Sequence, residues 1–202
     1  MAKAKIVKVG GIVFGLLFVV AAYLFFNYYQ KIFQSNTSIS DKNPYVYVYT
    51  GWSRSELVQN MAKKGILMDT SSFIWVADQK QFLTPKAGKY RLEDGMNNNE
   101  LVNLLRSGKQ EPVRLTFNSI RTPQDLAGKI AQQIEADSLA LITAIKSRDV
   151  ARKYGFNKNT FLTLFIPNTY EVYWDLSAEG FIERMAREYK RFWNQERASK
   201  AK

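Results

Sequence analysis

The sequence predicts an α+β protein organised behind a single N-terminal transmembrane helix. Three observations carry this: a charge-free apolar run near the start, short segments alternating β-branched and aromatic residues, and helical stretches opened by capping residues and closed by glycine. The apolar run is Val9 to Gln30, dense in Val, Leu, Phe and Ala. About 20 mostly apolar residues suffice to cross a bilayer as one helix. Lys3, Lys5 and Lys8 precede it and Lys31 follows, an excess that favours a cytoplasmic N-terminus and export of the rest. Tyr23, Tyr28 and Tyr29 fit the aromatic pattern of membrane interfaces. A buried core helix this apolar on every side would need a large surrounding core. A cleaved signal peptide has a shorter apolar run of about 7–15 residues and a small-x-small site, which is missing here. Residues 1–33 are therefore read as a cytoplasmic N-terminus and an uncleaved signal anchor in the cytoplasmic (inner) membrane, with the bulk of the chain extracytoplasmic.

Composition narrows the chemistry of the exported part. Four of the 29 basic residues and none of the 18 acidic ones lie in the first 33 positions, which leaves 25 basic against 18 acidic, a net +7. Such a surface could meet anionic headgroups, wall polymers or nucleic acid, or simply be solvated. Membrane anchoring puts nucleic acid last, and none is expected as a partner. Cys and His are both absent, which removes disulfides, thiol nucleophiles, Ser-His-Asp catalysis and His-based metal sites. No metal or cofactor is expected, and carboxylates, Lys, Tyr and Ser/Thr are left to act.

Gln34 to Asn43 is polar and reads as a tether, with 34–44 linking membrane and folded part. Tyr45 to Tyr49 (YVYVY) then reads as a strand. Ser53-Arg54-Ser55-Glu56 has capping-box spacing, with Leu57, Val58, Met61 and Ala62 as the apolar face and Gly65 as the C-terminal stop. A second helix starts at Asp69 or Thr70, carries Phe73, Ile74 and Trp75, and ends before Pro85. Gly88 to Leu92 is a strand. Asn97 to Gly108 is a third capped helix with Leu101, Leu104 and Leu105 inward.

This β-α-α-β-α order carries a resemblance. The helix closed by glycine, the segment Gly65-Ile66-Leu67 and the run AGKYRLEDGMNNNELVNLLRSG (Ala87 to Gly108) are similar to the MltG/YceG-like endolytic murein transglycosylases. Gly88, Tyr90, Met96, Leu101, Leu105 and Gly108 fall into place together, and the likeness runs from about Val46 to Gly108. It implies a small LysM-like module over 45–110 and the beginning of a mixed α/β catalytic domain over 111–202.

In that second segment Val113 to Phe117 alternates as a half-buried strand, with Val113, Leu115 and Phe117 on one face. Thr122 and Pro123 open a helix as N-cap and first helical residue, burying Leu126, Ala127, Ile130, Ala131 and Ile134. Another helix follows Asp137-Ser138, and a shorter one ends at Tyr154-Gly155. Phe165 to Trp174 (FIPNTYEVYW) is the most unusual run. Pro167 and Asn168 favour a turn. Glu171 and Tyr173 then share one strand face, with Tyr170, Val172 and Trp174 on the other. Aromatic rings beside a carboxylate suit a glycan cleft, because rings stack on sugar faces and an acid can protonate a glycosidic oxygen. The same pattern also describes a core strand whose Glu faces solvent.

Pro167-Asn168-Thr169-Tyr170 resembles the Pro-Asp-Thr-Tyr signature of the same family's catalytic domain, followed by a helix from Ser177 that carries Phe181, Ile182, Met185 and Ala186. The resemblance implies cleavage of peptidoglycan glycan strands between MurNAc and GlcNAc without water, leaving 1,6-anhydro-MurNAc ends. It assigns Asn168, Thr169 and Tyr170 to the glycan, and the rings beside the carboxylate add Tyr173 and Trp174. Glycan strands, membrane lipid and wall-synthesis proteins are the expected partners.

The chain departs from the family in three places. Its usual acidic Glu-Gly turn after the first strand is replaced by FNSIRT (Phe117 to Thr122). Its catalytic Glu stands five residues before the signature proline, where this chain has Leu162 followed by Thr163. Either Glu171 takes the role or this copy does not cut. Family members also run further, so a chain ending in ASKAK reads as truncated or as having an incomplete site. Three readings stand: a transglycosylase, a non-catalytic anchored wall-binding or scaffold protein, and a structural anchor unrelated to the wall.

Overall fold

The computed structural model describes residues 2–39, 43–118, 120–193, 197 and 200, with side chains from residue 11 onward. It is a mixed α+β protein opening with α1 (Ala2–Phe33). The Gly11–Phe33 part of α1 is long and apolar enough to cross a membrane, with a mean hydropathy of 2.0 and none of it buried by protein. Residues 40–42 of the expected tether, Ser119 of the FNSIRT turn, and residues 198, 199, 201 and 202 of the terminal ASKAK lie outside the described residues.

The chain falls into two compact units, and β1 (Tyr45–Val48) and β2 (Gly88–Arg91), which pair with each other, contribute residues to both. The first unit holds α1, α2 (Arg54–Lys63), α3 (Thr70–Gln79) and α4 (Asn98–Ser107). Each helix after α1 in this unit starts on its own cap. Ser53 and Asn97 both form full capping boxes with Glu56 and Glu100, and Asp69 accepts from the amides of Ser71 and Ser72. Gly108 closes α4 in the left-handed region (φ +72°), where a Cβ is disfavoured. Leu101, Val102 and Leu105 are the buried residues of α4's apolar face, while Leu104 is only half-buried. In α3, Phe73, Val76 and Ala77 point inward but Ile74 stays exposed.

Residues 35–39, part of the stretch whose composition suggests a tether, are built into this unit. Ser35 and Thr37 form isolated antiparallel bridges with Asn97 and Leu67. Asn36, 3% exposed, donates to Asn98 Oδ1 (2.7 Å) and to the Asp69 carbonyl (2.8 Å) and accepts from the Asp69 amide (2.6 Å). Buried polar groups need such partners, and here Asn98 and the Asp69 backbone supply those of Asn36. A polar stretch can thus be interior when its hydrogen bonds close on one another.

The second unit contains β3 (Val113–Phe117), α5 (Pro123–Ala131), α6 (Ser138–Lys146), α7 (Arg148–Lys153), a 3₁₀ turn (Phe161–Leu164), β4 (Asn168–Val172) and α8 (Ala178–Phe192). β3 and β4 pair antiparallel, with Val113 opposite Val172, Leu115 opposite Tyr170 and Phe117 opposite Asn168. Leu115, Phe117, Tyr170 and Val172 face one core with Leu126 and Ile130 of α5, Leu141 and Ile145 of α6, and Phe181 and Met185 of α8. Phe165 stacks on Phe181 at 5.6 Å between ring centres. α5 starts as expected, with Thr122 accepting from the Asp125 amide and Pro123 in the first turn.

Candidate functional site

β4 begins at Asn168, directly after Pro167, so the residue expected in a turn already pairs with Phe117. From there the pleat sends alternate side chains to opposite faces. Tyr170 faces the core, 6% exposed, with its ring 5.6 Å from that of Phe117 and its hydroxyl donating to the Ile166 carbonyl. Burial, with the nearby Glu188 carboxylate adding to it and Arg184 opposing, raises the Tyr170 phenol above its ordinary value. That hydroxyl therefore keeps its proton and the bond it donates.

The outward face of the same strand pair carries Arg114 opposite Glu171 and Thr116 opposite Thr169. The two threonine hydroxyls lie 2.9 Å apart, and Asn168 Oδ1 accepts from the Thr169 amide (2.8 Å). Just beyond β4, Tyr173 is 56% exposed while Trp174 is packed, edge-on to Tyr47 and Tyr49 at 5.0 and 4.9 Å. The Trp174 carbonyl accepts from the Glu135 amide (2.7 Å), and the Glu135 carboxylate accepts from the Thr50 amide and hydroxyl.

Glu171 and Tyr173 open into a groove of about 620 Å³, which also receives Asp175, Ser177, Arg184 and Arg187. This volume is typical of small-ligand clefts. Ser177 caps α8 by accepting from the Gly180 amide (3.0 Å), so the N-cap of α8, with Arg184 and Arg187 further along, forms one wall. Asp175 is held at both carboxylate oxygens by Gln110 Nε2 (3.2 Å each). Gln110 in turn lies across Gly88, whose backbone sits at φ +142°; a Cβ there would come within 2.5 Å of Gln110 Oε1. Glycine at 88 thus makes room for the amide that orients Asp175. Arg184 pairs with Glu188 (3.0 Å) and Arg187 with Glu183 (3.4 Å) along α8, and Arg184 Nε is buried without a hydrogen-bond partner among the described residues.

The structure therefore brings Glu171 and Tyr173 together at one groove. It puts Asn168 and Thr169 on the adjoining outer face, and Tyr170 and Trp174 into packing. Leu162 lies in the 3₁₀ turn, half-buried against the core. Glu171 is exposed on a strand face, not enclosed by apolar side chains. Asp175, Arg184 and Arg187 were not singled out from sequence. Arg184 and Arg187 are one helical turn apart, a spacing that does place them together on α8. Among the described residues no group of three or more Asp or Glu side chains is placed to share a metal ion.

A crystal structure of a YceG-like protein from Listeria monocytogenes matches at 18% identity over 76% of this chain, with a TM-score of 0.39. The chain spans 56%, little more than half, of that protein's length. No curated protein matches it. The family model described as YceG-like matches residues 46–202, a segment that includes every element described above from Val46 of β1 onward. This chain belongs to the YceG-like family.

Proposed function

We propose that the protein is a membrane-anchored endolytic lytic transglycosylase that cuts nascent peptidoglycan strands between MurNAc and GlcNAc. One observation carries the reading: Pro167-Asn168-Thr169-Tyr170 leads directly into a carboxylate and a ring, Glu171 and Tyr173, that share a groove. In this reading α1 is a single-pass anchor in the cytoplasmic membrane with its N-terminus inside. Residues 45–110 are a LysM-like module that docks on glycan, and 111–202 are the first part of the catalytic domain. Wall-synthesis proteins would deliver the strands.

Glu171, protonated, donates to the oxygen joining MurNAc C1 to GlcNAc C4, and that C1–O bond breaks as GlcNAc leaves. The resulting carboxylate then accepts the proton of the MurNAc 6-hydroxyl as O6 bonds to C1. The proton returns to Glu171, no water is consumed, and the product ends in 1,6-anhydro-MurNAc. One carboxylate can serve both steps in turn, whereas ordinary glycoside hydrolases use a pair. Tyr173 supplies a ring for a sugar face, and Arg184 and Arg187 supply cations for the carboxylates that muramic acid and its peptide carry.

A second reading, an anchored wall-binding or scaffold protein without chemistry, is favoured by Leu162 at the position of the family's Glu and by the exposure of Glu171. The two are separated by incubating the full chain and Glu171→Gln with purified glycan strands and searching for anhydro-MurNAc ends by mass spectrometry. Ends from the parent and a loss of at least about a hundredfold in the variant, the scale of a lost general acid–base group, are expected. Binding without product from either protein would establish the second reading.

A further inference from the structure

The end of α1 is fixed against the rest of the first unit by hydrogen bonds and ring contacts. Asn98, 1% exposed, donates from Nδ2 to the Lys31 carbonyl (2.8 Å) and to Ser72 Oγ (2.9 Å), and its Oδ1 accepts from Asn36. The Tyr28 ring stacks on Trp75 of α3 at 5.3 Å, and Lys31 Nζ lies 5.4 Å from the centre of the same Trp ring. On another side, Met68 lines a small cavity with Asn27, Gln30 and Lys31. Tyr28 and Asn27 belong to the charge-free run that ends at Gln30. One helical turn is about 5.4 Å, so side chains in contact with residues 27–31 stand within roughly a turn of the end of the span.

Those side chains, together with Ile74 next to Trp75 on α3, have the character of an interface. Met68 is 60% exposed, Ile74 is 38% exposed, and Trp75 is half-exposed next to a lysine. Tryptophan and tyrosine concentrate at headgroup depth, where an apolar ring and a polar edge are both accommodated, and lysine there extends its charge toward water. Met68 and Trp75 thus place exposed apolar surface against the end of α1. The geometry points to a unit that is seated on the bilayer, with Met68, Ile74 and Trp75 in the lipid headgroup layer, and not one suspended above the bilayer on a tether. This rests on the reading of α1 as a membrane span.

The absence of cysteine allows single labelling sites. Full-length Met68→Cys, Ile74→Cys and, within the span, Leu17→Cys would each carry a nitroxide in vesicles of mixed phosphatidylcholine and phosphatidylglycerol. Collision with oxygen, which dissolves in lipid, would be compared with collision with a water-soluble nickel chelate. The expected result is lipid-core behaviour at 17 and a partial loss of nickel accessibility with a gain for oxygen at both 68 and 74. Lipid-core behaviour at 17, with 68 and 74 as open to nickel as a free label in buffer, would overturn the seating and leave the anchor intact. Water-like behaviour at 17 would overturn the anchor and the seating with it. Shielding of 68 and 74 from both reagents would mean that protein, such as a second copy, covers the face, and would also overturn the proposal.

Discussion

Tyr170 and Glu171 are adjacent in sequence, yet the strand pleat gives one to the core and the other to the groove. Tyr170 is fixed by Phe117 and by its bond to the Ile166 carbonyl. Removing its hydroxyl leaves that carbonyl without its donor, and a typical intramolecular hydrogen bond contributes about 1 kcal/mol. Tyr170→Phe should therefore lower the urea midpoint by an amount equivalent to about 1 kcal/mol with an unchanged slope. Product formed per folded molecule should stay at the parental level, because the ring does not reach the groove. Glu171→Gln is the converse case: an exposed, nearly isosteric change should alter stability by no more than about 0.5 kcal/mol while removing any acid–base function. A Tyr170→Phe protein that is fully stable but cannot bind glycan would show that the hydroxyl serves substrate. From sequence, alternation separated the two faces of this run correctly. It did not show which face was interior, since Tyr and Trp suit a cleft and a core alike. Only the pairing with β3, some 55 residues earlier in the chain, decides that.

Two helices of the first unit, α2 and α3, begin on carboxylates whose ionised form the fold favours. The Ser53 backbone amide, then its hydroxyl, lowers Glu56 below the usual carboxylate value; for Asp69 the Ser71 hydroxyl is the main cause, with burial opposing. A carboxylate lowered in the folded state binds its proton more readily when unfolded. Its contribution is complete above the unfolded value, about 3.9 for Asp and 4.3 for Glu, and disappears as pH falls through the lower folded value. The melting temperature should thus fall on acidification through this range. The fall should be shallower in Glu56→Gln/Asp69→Asn, which is less stable near neutrality and converges on the parent in acid; parallel curves would remove these caps from the acid response. Such caps are local, within three residues, which is why Ser53 with Glu56 and Thr122 with Pro123 were legible in the sequence. The Asn36–Asn98 amide pair spans 62 residues and has no periodic signature. A string of Gln, Ser, Asn and Thr after a membrane helix looks the same whether solvated or interlocked. Arg184 and Arg187 were hidden for a related reason: the apolar stripe of α8 predicts its buried face, while the use of its polar face depends on what stands opposite.

At the scale of the whole chain, charge is a property the sequence states outright and one that the fold does not need for its core. Beyond the first 33 residues the net charge is +7, and several cations lie in or beside the groove, including Arg114, Arg184 and Arg187. Peptidoglycan carries carboxylates on its muramic acids and peptides, so association should draw on both shaped contacts and a general attraction. Salt separates the two, because screening shortens the reach of exposed charges from about 10 Å at 0.1 M to about 3 Å at 1 M and leaves stacked rings and close hydrogen bonds nearly untouched. Full-length protein should co-sediment with purified sacculi at low salt, lose part of that binding at high salt, and keep a residual that Tyr173→Ala reduces further. Arg184→Gln/Arg187→Gln should flatten the salt dependence without removing the residual, since it takes away long-range attraction and leaves the ring in place. If binding vanishes entirely at high salt and the tyrosine variant matches the parent at low salt, the protein is only a cation meeting a polyanion, and the groove has no part in recognition. If nothing sediments at low salt, both wall readings fail together.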